Sequence, residues 1–263
     1  MAIDIQQLSY HYPNGQEGLK DITLSLKRGR KIAVLGMNGS GKSTLLNHLN
    51  GSLLPQRGRV EILGLELNKK NRKEIRRRVG FLFDIPDHQL FSTTVYNDLT
   101  FGLDNYGVPK QQQEEKVLSV AEKLDITHLL EIPPHLLSLG QKKRVAAAGI
   151  LVMEPELILC DEPFSGLDGP GARHFKSILD DWVKRDKKTL IFSTHDIDLT
   201  FSWADDVILL KDHALVVYGS VTEVLLDNSL YSDDGFEKPL LLELFDGVRT
   251  REEARQLVIK QTL

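Results

Sequence analysis

Apolar residues gather in short runs at positions 3–8, 22–26, 32–35, 60–63, 79–83, 157–160, 190–193 and 207–210. Runs of this length, rich in Ile, Val, Leu and Phe, predict strands. Helix-spaced patterns separate several of them, so the expected fold class is α/β, built around a substantially parallel sheet. The stretch 84–152 reads differently: apolar positions fall at helical spacing over 94–99, 111–124 and 139–153, Pro133-Pro134 breaks the pattern, and no strand-like run appears. It predicts a mainly helical insert. Beyond about residue 220 an acidic, turn-rich stretch at 227–235 leads into a helical tail carrying Leu240, Leu241, Leu244 and Phe245. The expected organisation is one main domain over 1–220, its helical part at 84–152, and a C-terminal extension over 221–263.

Between the run at 32–35 and a helix-like stretch at 42–49 lies Gly36-Met37-Asn38-Gly39-Ser40-Gly41-Lys42-Ser43-Thr44. It fits the phosphate-binding pattern G-x-x-x-x-G-K-[ST]. A polyphosphate concentrates negative charge, and backbone surrounds it only where side chains do not intervene. Gly36, Gly39 and Gly41 allow successive N–H groups to turn inward, and the following helix adds its positive end. Lys42 would reach the β- and γ-phosphates, and the Ser43 hydroxyl would ligate a bridging Mg²⁺. Nucleoside triphosphate binding is the first functional expectation.

Two further runs end in chemistry. Leu157-Ile158-Leu159-Cys160 is followed by Asp161-Glu162, the order expected of a buried parallel strand whose C-terminal edge faces a ligand. Asp161 would hold Mg²⁺ through water, and Glu162 would orient and deprotonate the attacking water in ATP hydrolysis. His195 follows the run at 189–194 and would contact the γ-phosphate from a third strand end, a structural histidine being the ordinary alternative. Ser138 and Gln141, in Leu137-Ser138-Leu139-Gly140-Gln141-Lys142-Lys143-Arg144-Val145, form an S-x-x-Q capping box that predicts a helix start at Ser138. An ordinary capped helix would look the same.

Composition narrows the classes. The chain has 263 residues, 41% hydrophobic and 27% charged, which is globular material. No apolar run approaches the ~18 residues of a membrane span, and the first residues lack the features of a signal peptide, so a cytosolic, soluble chain is expected. A net charge of −4 gives no global attraction to nucleic acid or anionic lipid. The basic run at 69–78 reads as a solvated helix face, and Cys160, the single cysteine, as a packing residue.

The ordered set of Walker A loop (Gly36 to Thr44), a signature similar to LSGGQ (Leu137 to Gln141), Walker B (Leu157 to Glu162), a D-loop-like Ser165-Gly166-Leu167-Asp168 and a switch histidine, His195, resembles the ATP-binding cassette (ABC) ATPases over roughly residues 1–220. The resemblance implies a RecA-like parallel-sheet core with an N-terminal antiparallel β subdomain and a helical insert. It implies ATP and Mg²⁺ as cofactors, the Mg²⁺ held through Ser43, Asp161 and the Q-loop position. It also implies a dimer of cassettes in which Ser138, Leu139, Gly140 and Gln141 of one subunit close on the nucleotide bound by Asn38, Ser40, Lys42 and the rest of the loop of the other. Tyr12 is implied as the residue stacking on adenine, with Tyr10 as the competing candidate.

More locally, Val79-Gly80-Phe81-Leu82-Phe83, Pro86-Asp87-His88-Gln89-Leu90-Phe91, Thr94-Val95, Asp98 and Phe101-Gly102 resemble the ATPases of energy-coupling-factor (ECF) importers, especially the cobalt/nickel branch. Met153-Glu154-Pro155-Glu156, Thr194-His195-Asp196-Ile197-Asp198-Leu199 and Lys238-Pro239-Leu240 point the same way, with a vitamin importer as the alternative. The implied place is the cytoplasmic face of the membrane, where integral membrane subunits dock near residues 84–101. Cargo would not touch the chain, and Asp196 and Asp198 are expected in solvent-facing or capping roles rather than as a Co²⁺ or Ni²⁺ site.

Two positions depart from the family. Asp84 stands where the Q-loop usually has glutamine, and an ionised aspartate is shorter and acceptor-only. It could still reach Mg²⁺ through water, with weaker coupling of γ-phosphate sensing to the helical insert. Leu139 stands where the signature usually has glycine, so its side chain would either narrow the approach of the opposing nucleotide or pack on the helix start. These departures leave open a subunit that dimerises on ATP yet hydrolyses poorly; a soluble regulatory ABC ATPase is a third reading.

Overall fold

The computed structural model describes residues 1–231, 237–245 and 248–262, so part of the acidic stretch at 227–235 lies outside the described residues. The described strands are β1 (Ile3–His11), β2 (Glu17–Leu26), β3 (Lys31–Leu35), β4 (Arg57–Ile62), β5 (Leu65–Glu66), β6 (Val79–Leu82), β7 (Leu157–Cys160), β8 (Thr189–Thr194), β9 (Asp206–Lys211) and β10 (Ala214–Ser220). They join in one curled sheet of order β5-β4-β1-β2-β10-β9-β3-β8-β7-β6. Strands β6, β7, β8, β3 and β9 run parallel, while β1, β2, β4 and β5 pair antiparallel. Among the described residues, strand pairing between the two parts runs through Ala214 of β10 against Lys20 of β2. This is an α/β architecture in which a parallel-sheet core carries an antiparallel β lobe.

Every expected apolar run overlaps a strand, with Leu63 and Phe83 one residue past the ends of β4 and β6; β7 and β8 are buried throughout and β9 at all but its last residue. Burial on both faces removes the polar alternation of a one-sided sheet. Alternate residues still separate cleanly. Ala33, Leu35, Ile158, Cys160, Leu190 and Phe192 enter one apolar cluster, and Ile32, Val34, Leu157, Leu159 and Ile191 enter the other. The period of 2 along each strand therefore feeds two cores at once. β5 and β10 were not expected: the first is two residues long and the second is only partly buried along its length.

The helices are α1 (Lys42–Leu49), α2 (Arg72–Arg78), α3 (Val95–Asn105), α4 (Lys110–Lys123), α5 (Leu139–Leu151), α6 (Gly169–Asp186), α7 (Ile197–Trp203), α8 (Val221–Leu225), α9 (Leu240–Leu244) and α10 (Arg251–Thr262). Between β6 and β7 the described elements are all helical, and α3, α4 and α5 pack their apolar faces together through Leu99, Leu103, Val117, Ala121 and Val145. On α2 only Ile75 is buried, which leaves the basic residues on a solvated face; Arg78 at its end donates to Glu156 at 2.6 Å. Cys160 is fully buried, and burial pushes its thiol far above the ordinary range.

The tail is fastened to α7. Arg249 donates to the carbonyls of Phe201 at 3.0 and 2.9 Å and of Ala204 at 2.8 Å, and Asp198 accepts the Leu240 N–H at 2.7 Å. Asp196 caps α7 by accepting the Leu199 N–H at 2.8 Å.

Candidate active site

Parallel strands β3, β6, β7 and β8 end on the same edge of the sheet, and each delivers a different group there. The turn after β3 runs through Gly36 to Gly41 into α1. Gly41 holds φ +102°, and a Cβ on it would lie 2.8 Å from the Gly18 carbonyl; a Cβ on Gly36 would meet the Ser40 hydroxyl and the Leu210 carbonyl. Glycine is therefore required at both points by backbone geometry and by close packing. The N-terminal N–H groups of α1 have no side-chain cap at Gly41, which leaves the helix start open to an anion.

Lys42 is buried and folds back to donate to the Gly36 carbonyl at 2.8 Å and the Met37 carbonyl at 3.1 Å. Burial lowers its ammonium below the ordinary lysine range, and Glu162 and Asp161 draw it back up. The loop thus curls around its own cation, in the space where phosphate oxygens would take over from the carbonyls.

The cleft here, about 420 Å³, is lined by Asn38, Gly39, Gly41, Lys42, Ser43, Thr44, Tyr12, Asp84, Asp161 and Glu162, within the roughly 300–1,000 Å³ range of small-molecule sites. Tyr12 sits at its rim with its hydroxyl in a 2.9 Å hydrogen bond with Thr44. Tyr10 is buried, edge-on to Tyr12 at 5.2 Å and to His48 at 4.9 Å, and has no ring face to offer a base. Of the two tyrosines, Tyr12 lines the cleft.

Ser43, Asp84 and Asp161 face this cleft as oxygen donors of the kind Mg²⁺ selects. Among the described residues no group of three His, Cys, Asp or Glu side chains is arranged to hold a metal alone. Ser43, Asp84 and Asp161 are oxygen donors whose chemistry fits Mg²⁺.

Glu162 lies just past β7 with φ +42°, in the left-handed region. Its N–H donates to Ser193 Oγ at 2.9 Å, and the same hydroxyl donates to Asp161 Oδ1 at 2.5 Å. One buried serine on β8 thus fixes both acids. Glu162 Oε1 lies 3.0 Å from His195 Nδ1, which brings the two predicted hydrolytic residues together.

The signature residues are elsewhere. Ser138 caps α5: it accepts the Gln141 N–H at 3.3 Å, and its own N–H donates to Gln141 Oε1 at 2.9 Å, the reciprocal capping box. Ser138, Gly140 and Gln141 line a second cleft of about 390 Å³ with Leu167 and Asp168. Asp168 caps α6 by accepting the Gly171 N–H at 2.8 Å. Leu139 is partly exposed and its side chain lies over Gly166, where an added Cβ would stand 2.7 Å away. The chain therefore carries two separate clefts, one at the Gly36–Thr44 loop and one at the start of α5.

Asp84, at the end of β6, lies 3.9 Å from the buried Lys143 ammonium. The segment after it is anchored to the helical insert by Gln89, which donates to the Ala146 carbonyl at 2.8 Å, and by Lys142, 2.6 Å from Asp87. On its outer side Phe83, Ile85, Phe91 and Phe101 are exposed, with Phe91 and Phe101 in edge contact at 4.8 Å.

Sequence reasoning passed over Ser193, Lys143 and His213. Ser193 ended a strand run and read as a boundary; Lys143 stood in a basic triplet; His213 lines the nucleotide cleft from the β9–β10 turn at φ +65°. Neither Lys143 nor His213 carried a usable signal, since a lysine in a basic triplet and a turn histidine belong to no motif.

Fold and site together define a phosphate-loop nucleotide-binding cassette. Residues 19–165 match the family described as ABC transporter. The chain is 40% identical to the energy-coupling factor transporter ATP-binding protein EcfA of Carboxydothermus hydrogenoformans, across 99% of this chain and 98% of that one. It is 40% identical to the cobalt import ATP-binding protein CbiO of Rhodobacter capsulatus, across 91% and 86%. Among solved structures, cbiO1 of Clostridium perfringens, described as part of the ABC transporter complex cbiONQ, superposes with a TM-score of 0.79 at 38% identity, covering 87% of this chain and 92% of that one. The chain belongs to the ABC transporter family, among the ATP-binding subunits of energy-coupling-factor transporters, and is an ABC-type ATPase.

Proposed function

We propose that this subunit powers an ECF-type importer of Co²⁺ or Ni²⁺ ions, working as one of a pair of cassettes on the cytoplasmic face of the membrane. The observation that carries the paired reading is the separation of the phosphate cleft from the signature cleft. A second cassette would complete each site, its Ser138, Gly140 and Gln141 counterparts closing on a nucleotide held by residues 36–44. Residues 1–220 would form the nucleotide-binding domain, with 84–152 as its helical part and 221–263 as an extension.

Mg²⁺, held through Ser43, Asp161 and Asp84, would neutralise charge on the phosphates. Lys42 and the loop N–H groups would bind the triphosphate, and Tyr12 would stack on the base. Glu162 would take the proton of the attacking water while His195 fixes its carboxylate. The Glu162–His195 contact favours a hydrolysing subunit over a binding-only one. The exposed Phe83, Ile85, Phe91 and Phe101 supply an apolar surface for helices of a membrane subunit near 84–101.

The metal cargo rests on the likeness to CbiO. Expression with the neighbouring genes tests the whole reading. The expected result is co-purification with an integral membrane protein, Mg-ATP hydrolysis abolished by Glu162→Gln, and ATP-dependent uptake of labelled Co²⁺ or Ni²⁺. Uptake of a vitamin instead would overturn the cargo; absence of a membrane partner would overturn the importer.

A further inference from the structure

Lys143 points from the second turn of α5 into the body of the protein and is 1% exposed. An ammonium has three protons, and this one meets three backbone carbonyls: Glu162 at 3.3 Å, Pro163 at 3.2 Å and Ser165 at 2.6 Å. Asp84 Oδ1 stands 3.9 Å away as the nearest opposite charge. Burying a lysine is costly unless its donors are all used, and an apolar residue of similar length would fill the same space. The gripped segment begins at Glu162 itself, whose φ of +42° an L-residue holds only when its surroundings impose it. The helix that carries Lys143 starts with the signature turn, Ser138 to Gln141.

We propose that Lys143 is a positioning residue for hydrolysis: its ammonium clamps the backbone of residues 162–165, keeping the Glu162 carboxylate aimed at the cleft and tying this chain's signature turn to its own Glu162. The proposal rests on Glu162 being the general base. One ion on α5 thus makes the helix start and the acid move as a single body. Closure of the signature cleft on a partner's nucleotide would then be felt at the hydrolytic end of this chain's own cleft. Asp84, across the ammonium, places the Q-loop position in the same cluster.

The test is a double-mutant cycle on the purified full chain, reading kcat, KM for Mg-ATP and the affinity for a fluorescent ATP analogue. Lys143→Met should lower kcat about 10- to 100-fold, as expected of a slightly misplaced reacting group, with KM and analogue affinity within about twofold. In the Glu162→Gln background, read by single-turnover hydrolysis of labelled ATP, the same substitution should cost less than about twofold, because residues acting as one unit are not additive. Lys143→Gln, which keeps two N–H donors, should fall between wild type and Lys143→Met, and it decides by the same criteria if the methionine variant does not fold. Equal losses in both backgrounds, or a loss carried by KM and nucleotide affinity, would overturn the clamp. A wild type that binds the analogue but does not hydrolyse Mg-ATP would overturn both the clamp and the assignment of Glu162.

Discussion

Glu162 and His195 are 33 positions apart in the chain, and their side chains meet at 3.0 Å on the C-terminal edge of the sheet. The contact exists because β7 and β8 are parallel neighbours in register, Cys160 beside Phe192. A carboxylate that works as a base must point at the water it activates, and the imidazole restricts its rotation. Glu162→Gln keeps the shape and removes the base, so hydrolysis should fall about 10²- to 10⁴-fold with nucleotide affinity retained. His195→Ala should lower the rate by a smaller factor. Steady-state ATPase assays beside binding of a fluorescent nucleotide check both; a Glu162→Gln enzyme with full activity would remove Glu162 from the mechanism.

Ser193 holds Asp161 and Glu162 with one hydroxyl, accepting from one backbone and donating to the other side chain. Ser193→Ala leaves the part-buried Glu162 N–H without its partner. Losses of about 1–3 kcal/mol in stability are expected, together with a raised Mg²⁺ requirement because Asp161 is released. Thermal unfolding and Mg²⁺ titration of the ATPase rate would show the two effects; an unchanged Mg²⁺ dependence would mean Asp161 needs no such support.

The Asp84 carboxyl faces a buried lysine ammonium at 3.9 Å. A glutamine there regains an N–H₂ donor and loses the charge. In the assembled transporter, Asp84→Gln should increase transport per ATP hydrolysed, since the longer amide links the cleft to the helical insert more directly. Equal rates of hydrolysis and transport in the two proteins would deny Asp84 a special role.

The strands and the phosphate loop were legible because each rests on local rules: buried runs, glycine at forced positions, a capping box at Ser138. The Glu162–His195 contact was half legible, since the two residues end separate strands and only strand order makes them meet. What sequence could not supply is register and packing. Lys143 gave no sign that it differs from Lys142, although the first is buried against three carbonyls and the second reaches out to Asp87. Leu139 left two possibilities, and the packing of its side chain over Gly166 places it toward the D-loop-like turn. β10 escaped notice because it alternates weakly between core and solvent.

Glu156 joins the start of β7 to α2 through Arg78 at 2.6 Å and to the β2–β3 turn through Arg28 at 3.3 Å. The hydrogen bond from Arg78, then the charges of Arg78 and Arg28, hold its carboxyl below its ordinary 4.5 despite some burial. A depressed folded pKa means stability that is fully present above the unfolded value and is lost as pH falls through the folded one. Wild type should therefore lose melting temperature faster than Glu156→Gln as pH drops below about 4.5, the two curves converging in acid. The pair is partly exposed, so the gap at neutral pH should be about 1 kcal/mol or less. Parallel curves across that range would show that the ion pair adds nothing to stability.

Arg249 gives the C-terminal extension a direct hold on α7, the helix that begins two residues after His195. Its guanidinium supplies donors to the Phe201 and Ala204 carbonyls at the end of that helix, where carbonyls lack partners of their own. It also lies over the Phe201 ring at 5.7 Å. A charged donor at a helix C-terminus satisfies orphan acceptors and complements the helix dipole at the same time. Arg249→Ala should therefore loosen α7 selectively, whereas Arg249→Lys should restore part of the effect because a single ammonium cannot span both carbonyls. Hydrogen exchange by mass spectrometry reads this directly: peptides covering 197–204 should exchange faster in Arg249→Ala, while those covering β3 and β8 should not change. Uniformly faster exchange would mean that the arginine stabilises the whole domain, and unchanged exchange at α7 would mean that the extension rests on the core without holding the helix behind His195.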